Sequence, residues 1–340
     1  MKHRRIIVTK TGGPEVLDFA EADCPEPRAG EVRVRIEAAG VSAYDLMIRS
    51  SRLMPPKPPY TPGVDMVGTI EKLGEAVTGF EPGQRVAALL EMEGGGYSEL
   101  LCLPAGRCVL VPSCVDSAHA VCLVANYLTA HHVMHDAAKV KRGERVLVQG
   151  AAGGVGSALL ELSRLEGLEL YGTASAYNHE LVSSLGATPI DYKTESVVKR
   201  VRELTGDGVD VVFDPIGGAR QLWRSYRALR KGGRLSWFGM AATKKRGVRV
   251  IAYTLFTIGL LKLLPDDKSV PLVPETGIDD AYRATLAKLL DQCAAGELKP
   301  VIAERIPLAE ARRAHELLER GGYAGKVVLV TEAYPAGGGS

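Results

Sequence analysis

The chain has 340 residues, with 42 Lys and Arg against 40 Asp and Glu, for a formal net charge of +2. That length suggests two domains of ordinary size, and the near-neutral balance gives no electrostatic reason to expect a nucleic-acid partner. Six cysteines with no CxxC pair read as reduced thiols. The basic start, Met1 to Val8, lacks the apolar run of a signal peptide, so a cytoplasmic protein is expected.

Residues 1 to 123 read as β-rich. Val32, Val34 and Ile36 alternate with Arg33, Arg35 and Glu37 as a half-buried strand should. Further strands are expected near 4–9, 66–73, 85–90 and 99–104, with one helix near 44–50. Glycine and proline punctuate the segment at Gly12-Gly13-Pro14, Pro82-Gly83 and Gly94-Gly95-Gly96.

From about residue 124 the pattern changes to alternating helices and strands. A helix is predicted over 125–138, then strand 145–149, helix 154–166, strand 169–173, helix 177–185 and a short strand ending at Ile190. Helix 195–205, strand 209–213, helix 219–230 and strand 233–238 follow. Such alternation implies a parallel, doubly wound sheet. Val250 to Leu264 is apolar but interrupted by Lys262, and shorter than the ~20 residues that a membrane-spanning helix needs. The last part reads as a helix at 279–295, a segment at 300–306, a helix at 308–320 and a strand at 326–330. Residues 270–332 thus return to complete the first domain, with 124–269 as the second and 333–340 as a disordered, glycine-rich tail.

The most informative stretch is Arg145 to Leu165. Val146 and Val148 end a buried strand, Gly150, Gly153 and Gly156 follow at three-residue spacing, and Val155, Leu159 and Leu162 recur at helical spacing. Strand, glycine turn and helix together form a dinucleotide-binding context, in which the helix N-terminus meets a pyrophosphate. The second strand of such a unit usually ends in an acid that binds the ribose 2′-OH. Here it ends Thr173-Ala174-Ser175, which tolerates a 2′-phosphate and favours NADPH.

These residues carry a resemblance. Gly143 to Arg164 resembles the signature of the quinone oxidoreductase (zeta-crystallin) family of medium-chain dehydrogenase/reductases, with Glu161 where that signature has glutamine. Thr11 to Leu17, Pro62-Gly63, Pro82 to Val86, Asp214 to Gly218 and Gly325-Lys326 are similar to the family, so the resemblance spans nearly the whole chain. Asn126 to Ala130, Gly172 to Ala176 and Pro189 to Tyr192 look closest to its vesicle amine transport protein branch. The fold implied is α/β: a GroES-like β-rich catalytic domain plus a Rossmann domain with a doubly wound parallel sheet.

The resemblance implies an NADPH site of Thr129, Gly150, Gly153, Gly154, Val155, Gly156, Ser175, Tyr192, Gly217, Phe238, Gly239, Met240 and Lys326. His179 and Lys193 stand near the place of a lysine that relatives use. Tyr192 could equally be a core aromatic, and Lys326 a solvated lysine. Zinc-containing relatives have a cysteine at Ser42 and a His-Glu pair at Val64-Asp65, so no metal is expected. His131, His132 and His135 read as solvent-facing or core residues rather than ligands. Ser42 and Tyr44 are the candidates for meeting charge on a substrate oxygen, although Tyr44 could only line the pocket, with water supplying the proton. Arg49 and Arg52 are expected on a solvated face.

The implied activity is NADPH-dependent reduction of quinones or enones by a homodimer. An enoyl-thioester reductase, or a dinucleotide-binding, vesicle-transport-like protein with little turnover, is the alternative. The run from Lys244 to Leu264 reads as a lid, a partner surface or plain packing.

Overall fold

The structure, a computed structural model, describes residues 2–51, 56–90, 94–239, 249–274 and 277–335. The chain divides into two compact units, residues 1–128 with 276–340, and residues 129–275.

In the first unit, β1 (Lys2–Val8) and β2 (Leu17–Asp23) form an antiparallel pair. β3 (Glu31–Val41) is the long central strand, followed by helix α1 (Ala43–Arg49), β4 (Asp65–Leu73), β5 (Arg85–Leu89), β6 (Leu100–Pro104) and β7 (Val109–Leu110). Helix α2 (Ser117–Cys122) closes the N-terminal part. The alternation read from the sequence buries Val32, Val34 and Ile36, and they pack with Met66, Ile70 and Val86. β3 is anchored on both sides, pairing antiparallel with β4 and with β6.

The predicted helix at 125–138 is helical but not regular. Leu123–Tyr127 and Val133–Ala138 are π-helical, flanking the short α3 (Leu128–His132). Such widened turns insert an extra residue per turn and shift the side-chain register, which the 3.6-residue periodicity cannot encode.

The second unit carries the parallel sheet. β8 (Arg145–Val148) leads through the glycine turn to α4 (Gly154–Leu165) and β9 (Glu169–Ala174), then α5 (His179–Ser184) and β10 (Thr188–Asp191). α6 (Val197–Thr205), β11 (Val209–Asp214), α7 (Ala219–Ala228), β12 (Leu229–Trp237) and α8 (Arg249–Lys262) follow. The strand order is β10-β9-β8-β11-β12, every pair parallel. β8 and β11 are central, and Val146, Leu147, Val148, Val211, Val212 and Phe213 are all inaccessible to solvent. Central parallel strands are covered on both faces, so they read as continuous apolar runs.

The chain then returns to the first unit through the helix Asp280–Ala294, β13 (Ile302–Pro307), the helix Ala311–Arg320 and β14 (Lys326–Val330). β14 lies parallel to β13 and antiparallel to β3, which completes a seven-stranded sheet. Of the residues assigned to a disordered tail, 336–340 lie outside the described residues. The others depart from that expectation: Tyr334 Oη donates to Asp116 Oδ2 at 2.6 Å and accepts from Arg305 Nε at 3.0 Å, which ties the chain down through that point.

Candidate functional site

The glycine turn has three glycines with three different reasons. Gly150 has φ +65°, a backbone region open to glycine. A Cβ on Gly156 would lie 2.3 Å from the Gly150 carbonyl oxygen, so the helix could not approach the turn. Gly153 is different. Its φ is −75°, and a Cβ there would meet only the Gly150 oxygen at 3.4 Å, an ordinary contact. The fold itself does not require glycine at 153. A missing side chain there opens the approach to the N-terminus of α4, whose N-cap is Gly153 and makes no side-chain cap. The first N–H groups of the helix, at Gly154, Val155 and Gly156, have no partner within the helix and suit an anion.

The turn is braced from below. Gly150 N donates to Thr173 Oγ1 at 3.0 Å, Thr173 Oγ1 donates to Gln149 Oε1 at 2.9 Å, and Ala151 N donates to Thr173 O at 2.9 Å. Ser175 follows β9 and is half-buried, its hydroxyl uncommitted to a helix cap. His179 opens α5, and its Nε2 is buried without a hydrogen-bond partner among the described residues. Tyr192 is 54 % exposed, which rules out the core-aromatic reading. Lys193 beside it is exposed, with its N–H on Asp191 Oδ1 at 2.9 Å.

A second glycine pair follows β11. Asp214 Oδ1 accepts from Ile216 N at 2.8 Å and Gly217 N at 3.1 Å, while its Oδ2 accepts from Ser225 Oγ at 2.6 Å. Gly217 has φ +71°, and a Cβ on Gly239 would lie 2.5 Å from Pro215 O. Phe238 is half-buried after β12, Thr129 is half-buried in α3, and Met240 lies outside the described residues. Gly150, Gly153, Ser175, Tyr192 and Gly217 thus stand just past the carboxyl ends of β8, β9, β10 and β11, the edge where open parallel sheets bind ligands. Glu161, where the signature has glutamine, is buried in α4.

In the first unit the polar groups gather at the start of α1. Ser42 N and Ser42 Oγ both donate to Asp45 Oδ2, at 2.8 and 2.6 Å, and Ser42 Oγ accepts from Asp45 N. This reciprocal cap commits the Ser42 hydroxyl. The expectation that Ser42 meets a substrate oxygen is corrected: its proton belongs to Asp45. Tyr44 behaves oppositely, since its Oη is buried and has no hydrogen-bond partner among the described residues. Burial, with the neighbouring Asp45 charge, pushes the Tyr44 phenol upward, so it stays a neutral donor.

Asp45 is the hub. Its Oδ1 accepts from Gly63 N at 3.1 Å, which pins the 60–63 segment to α1. Burial raises its carboxyl to about 6 against the pull of Ser42. Burial, with the nearby Asp45 charge, pushes the Tyr97 phenol well up, and His315 Nε2 lies 3.3 Å from Tyr97 Oη. Burial, with Arg49 near, lowers His315 to about 3, so it is neutral. Arg49, expected on a solvated face, is instead 0 % exposed and paired with Glu319 of the helix 311–320. Only its Nη2 meets the Glu319 carboxylate; Nε and Nη1 are buried without a hydrogen-bond partner among the described residues. Arg52 lies outside the described residues.

The residues where related enzymes hold zinc do not fit a zinc centre. Val64 offers no ligand, Ser42 is engaged by Asp45, and Asp65 is engaged by a lysine. Asp65 Oδ1 accepts from Gly40 N at 2.7 Å and Oδ2 from Lys326 Nζ at 2.9 Å. Lys326 is 3 % exposed, which excludes the solvated-lysine reading. Of the three histidines, His132 pairs with Asp136 and contacts Pro274 O, and the rings of His131 and His135 lie 4.3 Å apart, tilted by 49°.

Comparison with known proteins agrees with this fold. Residues 28–113 match the model of the alcohol dehydrogenase GroES-like domain, and residues 185–329 match that of a zinc-binding dehydrogenase. The human synaptic vesicle membrane protein VAT-1 homolog is 32% identical over 342 residues, covering 96% of this chain and 86% of the relative. Rat quinone oxidoreductase is 30% identical over 341 residues, covering 96% and 97%. Among solved structures, a mycobacterial protein complexed with NADPH superposes with a TM-score of 0.82 at 30% identity, covering 96% and 99%. No described helix is long and apolar enough to cross a membrane. With its GroES-like first unit, its parallel-sheet second unit and relatives matched along nearly its full length, the chain belongs to the quinone oxidoreductase family of medium-chain dehydrogenase/reductases.

Proposed function

We propose that the protein is an NADPH-dependent reductase of quinones and α,β-unsaturated carbonyl compounds. The observation that carries this reading is the turn 150–156, where Gly153 leaves an uncapped helix N-terminus open although the fold has no need of glycine there. The N–H groups of Gly154, Val155 and Gly156 hold the pyrophosphate. Ser175 admits the 2′-phosphate without charge repulsion, and His179 Nε2, which has no partner among the described residues, and exposed Lys193 are its polar partners. Tyr192 offers its exposed ring to the same end of the cofactor, and the backbone at Gly217 and Gly239 lets the nicotinamide end approach. When bound, NADPH supplies the hydride.

The chain's own part is orientation and electrostatics. Tyr44 Oη is a buried donor with no acceptor among the described residues, which costs about 1–3 kcal/mol unless a ligand or water meets it. We assign it to the substrate oxygen on which charge develops, with water supplying the proton. Without a Lewis acid, a carbon already made electrophilic by conjugation is the substrate that needs least help. The NADPH-bound mycobacterial structure and the rat quinone oxidoreductase support this reading.

A screen of NADPH oxidation over quinones, enones and enoyl thioesters tests it. Turnover of a quinone or a simple enone is expected. Turnover of enoyl thioesters alone would shift the assignment to that class, and NADPH binding with no turnover would overturn it.

A further inference from the structure

The pyrophosphate turn after β8 and the glycine turn after β11 are joined beneath the surface. Gly150 N donates to Thr173 Oγ1 at 3.0 Å, and Thr173 Oγ1 donates to Gln149 Oε1 at 2.9 Å. On the far side of the same amide, Gln149 Nε2 donates to Ser225 Oγ at 3.3 Å, and Ser225 Oγ donates to Asp214 Oδ2 at 2.6 Å. Asp214 Oδ1 in turn accepts from Ile216 N and Gly217 N. The run crosses from β9 past the end of β8 to α7 and β11. Every side chain in it is buried: Gln149 is 3 % exposed, Thr173 1 %, Ser225 and Asp214 0 %.

A buried amide is costly unless both its ends are matched. Here the two ends of the run fix which way the amide faces. A backbone N–H can only donate, so the Thr173 hydroxyl accepts from Gly150 and gives its own proton to Oε1. Asp214 takes the Ser225 proton, so Ser225 offers Gln149 a lone pair, and Nε2 must face it. Leucine at 149 would make neither bond, and an ionised glutamate would have no proton for Ser225. From Gly150 N to Asp214 each donor points the same way, so each bond polarises the next. Gln221 Nε2, on α7, reaches Asp214 Oδ2 at 3.2 Å and Ser225 Oγ at 3.3 Å, which reinforces the Asp214 end.

We infer that Gln149 is a positioning residue that couples the two turns, so that the pyrophosphate and nicotinamide ends of the dinucleotide bind cooperatively. The coupling rests on the cofactor site proposed above and on no particular substrate. Hydrogen bonds among the described residues join Thr173 to Ser225 only through Gln149. A closely packed amide transmits a displacement of one neighbour to the other. Settling the Gly150 amide against a pyrophosphate therefore also sets the Asp214 carboxylate that holds Gly217 N.

A double-mutant cycle on the NADPH affinity of the full chain, read by nicotinamide fluorescence, tests this. Thr173→Val removes the link to Gly150, and Ser225→Ala removes the link to Asp214. Each should weaken NADPH about fivefold. Independent braces would multiply to about 25-fold in the double variant. Coupling through Gln149 predicts instead a double variant close to the weaker single one. Gln149→Leu alone should reach the same level, and adding either other change to it should cost little more. Thr173→Ser, which keeps the hydroxyl, should bind as the parent does, and Thr173→Ala replaces Thr173→Val if circular dichroism shows the valine variant unfolded. Multiplicative losses, or single variants that bind like the parent, would overturn the coupling alone. A parent that binds neither NADPH nor NADH would overturn the cofactor site and the coupling together.

Discussion

Lys326 Nζ lies 2.9 Å from Asp65 Oδ2, with side chains 3% and 0% exposed. The lysine begins β14 near the C-terminus, the aspartate begins β4, and Gly40 of β3 lies against both, where a Cβ would come within 2.1 Å of Lys326 Cε. Burial opposes the ammonium, yet the neighbouring Asp65 carboxylate holds the lysine above its ordinary value.

Removing one partner leaves the other charged and buried. Lys326→Met should therefore destabilise the protein by about 3–5 kcal/mol in urea unfolding. Lys326→Met combined with Asp65→Asn should recover most of that loss. If the lysine's role is internal pairing, the double variant keeps the parent's NADPH affinity; a loss of affinity would instead support the cofactor contact that the resemblance implies.

Asp45 gives a pH dependence with a definite sign. Its folded value of about 6 stands above the unfolded aspartate value of about 3.9, so the native state holds the proton more tightly. Its contribution to stability is full below pH ~4 and is lost as pH rises through about 6. Asp45→Asn should remove this component of the stability profile between pH 4 and 6. An unchanged slope in that window would show that another group produces it.

The glycine turn separates binding from folding. Gly153→Val should weaken NADPH and NADH alike by roughly tenfold or more while leaving the melting temperature near the parent's, since the new side chain obstructs only the pyrophosphate. Gly156→Ala should instead destabilise by about 1–3 kcal/mol, because its Cβ meets the Gly150 oxygen.

Ser175→Asp should cost NADPH roughly tenfold or more in affinity by placing a carboxylate near the 2′-phosphate, and NADH little or nothing. Nicotinamide fluorescence titration measures both. Equal losses for the two cofactors would move the 2′-phosphate away from Ser175.

Much of this was legible in the sequence. β8, the glycine turn and α4 follow from a short apolar run and three spaced glycines, and the return of 326–330 to the first sheet follows from its buried valines. The charged interior was not. Arg49 read as a surface residue, and Lys326 as a cofactor contact or a solvated lysine, because their partners, Glu319 and Asp65, are 270 and 261 positions away. Ser42 and Tyr44 looked alike as hydroxyl donors. The cap that occupies one and leaves the other unpartnered depends on Asp45 geometry, which residue types alone do not determine. The widened turns at 123–127 and 133–138 escaped for the same reason, since they depend on packing rather than periodicity.

Tyr44→Phe should reduce kcat about 10²–10³-fold if its hydroxyl meets developing charge on the substrate oxygen. An effect confined to KM would make Tyr44 a pocket wall.

The most direct test of the reaction is the fate of the label from NADPH deuterated at the transferred position, with a simple enone in light water. Deuterium at the β-carbon is expected, and in heavy water with unlabelled NADPH the solvent deuterium should appear at the α-carbon. Deuterium at the carbonyl carbon would contradict the account and indicate an alcohol dehydrogenase, and no label in any product would contradict it outright.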